Sequence, residues 1–133
     1  MPSTTIPNPN PASILSEANG QLSRDAVTIV AGAVALAAGM VLGKITASGK
    51  YQAYDDANIP AGIGVAAAVL LYATSTSAAD QSVAAMTRQG EVVASLLRFA
   101  VGTTLTQANS AKTDLATVGI IVRGDWTQTF PIV

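Results

Sequence analysis

SRDAVTIVAGAVALAAGMVLGKITASGKY, residues 23–51, is the stretch whose reading decides the fold. It opens on a charge pair, Arg24 and Asp25, and then runs uncharged from Ala26 to Gly43. It closes on Lys44 and a turn at 47–50. Eighteen uncharged residues come close to the ~20 that a membrane-spanning helix needs. The same residues also divide into two short strands, 26–30 and 40–46, around an Ala/Gly-rich connection. Val27, Thr28, Ile29, Val30, Val41, Ile45 and Thr46 are β-branched, as a pleated surface favours. Gly32, Gly39 and Gly43 weaken a soluble helix but punctuate strands naturally. The strand reading is therefore the better one.

Bulk composition narrows the classes. A chain of 133 residues is one domain with room for a modest core. Half of it is hydrophobic but only 5% is aromatic, so the core is built from Ala, Val, Leu and Ile. Small side chains bury little area each, which makes an isolated monomer marginal and self-association favourable. A net charge of −1 without a basic cluster argues against nucleic-acid binding. The absence of cysteine removes disulfide frameworks and thiolate sites and fits a reducing cytoplasm. No signal-peptide pattern opens the sequence.

Working outward, residues 1–16 hold four of the six prolines, Pro2, Pro7, Pro9 and Pro11. Such a segment cannot be helical and lacks apolar mass of its own. Residues 1–22 are expected to be a flexible N-terminal arm, with 23–133 a single domain. Either the arm is a leader or it orders against a partner, with Ile6, Ile14, Leu15 and Leu22 as its apolar points. After the turn at 47–50 a third strand is expected over 51–54, then a turn at 55–58. The uncharged run 57–79 centres on 62–73, which is compatible with a helix, a buried strand pair or a second membrane span; its glycines and its Thr/Ser end favour a strand leading into a loop. Further strands are expected over 82–87 and 91–101, joined through Arg88, Gln89 and Gly90.

One helix is well signalled. Thr104 and Gln107 make a capping box. Leu105, Ala108, Ala111, Leu115 and Val118 recur on one face, and Gly119 stands at the stop. A strand over 120–123 follows, and then a tail in which Trp126, Gln128 and Phe130 alternate.

Catalytic and ligand motifs are weak. The run 39–46, GMVLGKIT, superficially resembles a phosphate-binding loop, but it has three residues between its glycines and Ile45 between Lys44 and Thr46. That loop needs four residues and a hydroxyl directly after the lysine. Asp55 and Asp56 are neighbours without a nearby third ligand, so a solvated turn is the better reading. Arg123, Gly124 and Asp125 form an integrin-type tripeptide that reads more simply as a turn. With no His and no Cys the usual bases, thiol nucleophiles and metal ligands are missing. Lys44 and Lys112 have no activating pattern around them. No catalytic, cofactor-binding or metal residue is expected.

A set of short motifs in a fixed order adds a family. Residues 23–29, SRDAVTI, residues 36–46, LAAGMVLGKIT, and the GKY turn at 49–51 resemble the opening of the tailed-phage head decoration proteins. This is the family of the phage lambda capsid-stabilising protein. Ala61, Gly62 and Ile63, Arg88 with Gly90, Glu91 and Val92, and Leu115 with Gly119 and Ile120 continue the resemblance, which covers roughly 17–123. It implies a mainly β, α+β fold of β-clip-like form, a homotrimer, and an arm that grips the major capsid protein. It further implies binding to the outer surface of the expanded head after assembly in the host cytoplasm, and stabilisation against the pressure of packaged DNA. No cofactor, nucleic acid or membrane is implied. The rival expectation is a small holin-like membrane protein with spans at 26–43 and 57–79. It accounts for the mean hydropathy of +0.43 but not for the ordered motifs.

Overall fold

The computed structural model describes residues 12–18 and 22–133. The strands in these segments are β1 (Ile14–Glu17), β2 (Arg24–Ile29), β3 (Val41–Lys44), β4 (Tyr51–Ala53), β5 (Ala66–Leu70), β6 (Gln81–Met86), β7 (Gly90–Val93) and β8 (Ile120–Arg123). One helix, α1 (Leu105–Thr117), lies between β7 and β8. Five strands close into a barrel in the order β2-β4-β3-β5-β6, and β1-β7-β8 form a separate sheet. The long β2/β6 pair is antiparallel, running from Arg24 opposite Met86 to Ile29 opposite Gln81. β7 and β8 are parallel, so the chain between them must cross over, and α1 is that crossover.

Both uncharged stretches are consumed by this architecture. Residues 26–43 become most of β2, a loop and the start of β3. Residues 57–79 become a 3-10 turn, β5 and a loop. No helix among the described residues is long and apolar enough to cross a membrane, so the two-span reading fails at the positions it needed.

Two cores explain why these strands lack charge. Val27, Ile29, Leu42, Ala68, Leu70 and Ala85 fill the barrel. Outside the barrel wall, Val41, Val69, Leu71 and Met86 meet Ala108, Ala111 and Leu115 of α1 and Val92, Ile120 and Val122 of the sheet. β3 and β5 therefore bury side chains on both faces, as strands in covered sheets do.

The helix follows its local signals closely. Thr104 Oγ1 accepts from the Gln107 amide at 3.3 Å, and Gln107 Oε1 accepts from the Thr104 amide at 2.9 Å. Gly119 takes the left-handed conformation past the helix end, with φ +82°. Ala108, Ala111 and Leu115 are buried, but Leu105 is 48% exposed and Val118 lies beyond the last helical residue. At 3.6 residues per turn Leu105 sits about 90° round from the centre of that face, which is why it misses the core.

Other expectations need adjustment. The strand expected over 91–101 ends at Val93, gives way to a 3-10 turn at Ala94–Leu96, and continues irregularly to the helix. Ala94, Leu97 and Phe99 are the buried positions there, a three-then-two spacing that no strand can sustain. The turn at 55–58 extends into a 3-10 turn, Asp56–Ala61. The alternation expected in the tail is present, with half-buried and exposed positions alternating over 126–133.

Candidate docking surface

β1 is an edge strand among the described residues: it pairs with β7 on one side, from Ile14 opposite Val92 to Glu17 opposite Gly90, and no described strand lies on the other. Of the residues expected in the arm, Ile6 lies outside the described residues. Ile14 is half-buried and packs against the outer core. Leu15 and Leu22 are 55% and 61% exposed, so they are the two apolar side chains of this set that face solvent.

The next three residues hold the root of this edge in place. Ser23 is fully buried; its hydroxyl donates to the Gln89 carbonyl at 2.6 Å and accepts from the Ala18 amide at 2.9 Å. Arg24 clamps Glu17 through Nε, at 3.1 Å to Oε1 and 2.9 Å to Oε2. That contact, with a weaker one to Tyr72, raises the guanidinium pKa further against the cost of burial. Asp25 accepts from Thr87 Oγ1 at 2.8 Å and pairs with Arg88, which also reaches the Leu22 carbonyl. The Thr87 hydroxyl and then Arg88 hold the Asp25 carboxyl below its ordinary range. The SRD triplet thus ties β1 and the 87–90 turn to the barrel, using partners from both sides of the chain.

This role was hidden from sequence reasoning, which saw Arg24 and Asp25 only as a charge pair. The partners lie as far as 66 residues away, and nothing local announces them.

Elsewhere the chemical candidates resolve into structure. Lys44 sits in β3 with its ammonium 5.9 Å from the Tyr51 ring centroid, and Gly39 and Gly43 lie against backbone, so no phosphate cradle is formed. Asp55 caps the 3-10 turn through the Ala57 amide at 3.1 Å, and Asp56 receives the Tyr54 hydroxyl at 3.0 Å. Among the described residues no group of three or more acidic, His or Cys side chains is placed to hold a metal. Arg123 Nε pairs with Glu91 at 3.2 Å, and Gly124 turns with φ +83°.

The arrangement is that of a small β-barrel domain with a firmly anchored, one-sided edge strand leading toward an N-terminal extension. The model of the Bacteriophage lambda head decoration protein D family matches residues 3–120, and the chain belongs to that family. No curated protein matches the chain. The match begins well before the first shared motif, so it takes in nearly all of the Pro-rich segment. It ends at Ile120, leaving the tail outside. The family is a structural one of the phage capsid, which places the chain in the virion and its role in the head shell.

Proposed function

We propose that the protein binds the outer surface of the expanded phage head as a homotrimer and stabilises the shell against the outward pressure of packaged DNA. The observation that carries this reading is the family match running through residues 3–120, arm included. The anchored edge strand supports it. An arm that leaves a fixed root, with Leu15 and Leu22 exposed beside it, is suited to pairing with a strand edge of the major capsid protein. Ordering an extended segment costs roughly 1–2 kcal/mol per residue in backbone entropy, so one arm binds weakly. Three arms on one trimer offset this through effective concentration. Preference for the expanded lattice then stabilises that form by mass action. The protein performs no catalysis in this role, needs no cofactor, nucleic acid or membrane, and assembles onto heads in the host cytoplasm.

The test has two arms. Light scattering in detergent-free buffer gives three chain masses for the trimer; a stable monomer removes the avidity argument. Truncation after residue 11 leaves β1 intact and should abolish co-sedimentation with expanded heads while sparing thermal stability. Deleting 1–16 is less clean, because Ile14 and Ser16 pair with β7. If the shorter truncation still saturates heads at full affinity, the grip lies on the folded surface.

A further inference from the structure

Residues 125–133 lie beyond both the family match and the last strand. Their even-numbered positions, Trp126 to Ile132, are half-buried, and the odd ones are exposed. Trp126 and Phe130 meet the ring of Phe99 edge-on, with centroids 5.5 and 6.3 Å away, and meet each other at 6.1 Å. Trp126 Nε1 donates to Asn109 Oδ1 on α1 at 2.8 Å. Gln128 Nε2 donates to the carbonyls of Ala94 and Leu97 at 3.0 and 2.7 Å. A reciprocal backbone pair completes the set: the Gly102 amide to the Ile132 carbonyl at 2.7 Å, and the Ile132 amide to the Thr103 carbonyl at 3.0 Å.

Every one of these polar bonds reaches either α1 or the irregular segment between β7 and α1. Underneath, Phe99 is only 6% exposed. The segment starts at Gly124, whose left-handed backbone lets the chain swing at little cost. Its backbone is held by two bonds and its inward side chains are only half-buried, whereas the barrel residues Ile29, Leu42 and Leu70 are sealed completely. Local opening free energies follow this contrast, being lowest where buried apolar contacts and backbone bonds are few.

We infer that residues 125–132 are a clasp over Phe99 that opens as a unit about Gly124, ahead of the unfolding of the barrel. Opening breaks the reciprocal pair, the two Gln128 bonds and the Trp126 bond together. It leaves the β2/β6 ladder and the interior of the barrel untouched. It uncovers Phe99 beside the carbonyls of Ala94 and Leu97, which keep their bonds from the Leu97 amide and Arg98 Nη1.

Trp126 is the only tryptophan in the chain, so its emission reports the clasp while far-ultraviolet circular dichroism reports the sheets. On heating the full-length protein, the red shift of Trp126 should precede the loss of sheet signal by several degrees. Gln128→Ala should move the emission midpoint down and leave the dichroism midpoint in place. Phe130→Ala should do the same more strongly. In native-state hydrogen exchange the Gly102 and Ile132 amides should exchange faster than those of β2 and β6. Coincident midpoints in the unmodified protein, equal movement of both signals in Gln128→Ala, or equal amide protection would each overturn the inference.

Discussion

Gly43→Ala tests the packing of the barrel wall at a place where two backbones approach closely. Gly43 is buried in β3, opposite Gln52 on one side and Ala66 on the other. A Cβ there would lie 2.5 Å from both Cα and the carbonyl oxygen of Ile63, and 2.8 Å from its carbonyl carbon. Carbon atoms prefer ~3.5–4.0 Å, so Ile63 must retreat by about 1 Å. It is poorly able to do so. Its carbonyl accepts from the Asp55 amide at 3.0 Å, and two residues earlier the Ala61 carbonyl accepts from Thr46 at 3.0 Å. Overpacking of this kind costs ~1–3 kcal/mol, and loss of the Asp55 bond adds ~0.5–1.5. Stiffening of the unfolded chain returns ~0.4–1 kcal/mol. The net is about 0.5–4 kcal/mol, or a fall of about 2–15 °C in Tm for a domain of this size. Gly32 supplies the control, since a Cβ there meets nothing within 4 Å and only its φ of +82° resists substitution. Asn tolerates that left-handed conformation better than Ala does, so Gly32→Asn should be milder than Gly32→Ala. At Gly43 the order should reverse, because the larger side chain intrudes further. Calorimetry of the four variants decides the matter: a Gly43→Ala protein with unchanged Tm, or the same order at both sites, would refute the reasoning.

Four further outcomes are expected. Leu115→Ala removes a fully buried side chain from the outer core and should cost ~2–5 kcal/mol in urea unfolding. Thr104→Ala, which removes the hydroxyl that accepts from the Gln107 amide at an exposed site and leaves the reciprocal backbone bond in place, should cost only ~0.5–2 kcal/mol by the same assay. The Asp25 carboxyl titrates lower folded than unfolded, so its contribution is present above the ordinary carboxylate range and is lost as pH falls through the folded value. Asp25→Asn should accordingly flatten the acid limb of the stability profile. Burial, aided by Asp56, pushes the Tyr54 hydroxyl well above the ordinary tyrosine range, so the unfolded chain ionises first as pH rises. Stability should decline above the ordinary tyrosine pKa, and Tyr54→Phe should reduce that decline.

What was legible in the sequence was local. The capping box, Gly119 and the 108–111–115 stripe located α1 almost to the residue, because a helix is made by its own neighbours. β-branched residues located β2 and β3 for a similar reason. β5 was ambiguous because residues 66–71 are buried on both faces, and a continuous apolar run carries no period. Leu105 was misassigned to the core face because it satisfies a three-residue step while drifting off the stripe. The candidate site was least legible. Leu15 and Leu22 could be named from their hydrophobicity, but the anchoring role of Ser23, Arg24 and Asp25 depends on Glu17, Thr87, Arg88 and Gln89. Those partners are brought close only by the β1/β7 and β2/β6 pairings, and barrel closure itself has no signature along the chain.

The barrel ring is not equally strong all the way round. Between β2 and β4 it is closed by one parallel residue pair, Ile29 opposite Tyr51, with the Val30 amide donating to the Tyr51 carbonyl at 3.0 Å. Beside that pair Asp80 acts as a stitch, accepting from the Ala31 amide at 2.8 Å and from Lys50 at 2.7 Å. A cavity of about 290 Å³, lined by residues 30–34 with Leu36, Gln52 and Ala53, opens at the same place. This is the barrel's seam. Water should gain entry to the interior here first, since one residue pair is all that joins β2 to β4. The Lys50–Asp80 pair is exposed, so salt loosens the stitch as well. The barrel therefore carries its own weakest line along β2 and β4, while its firmest ladder, β2 with β6, lies on the other edge of the same strand.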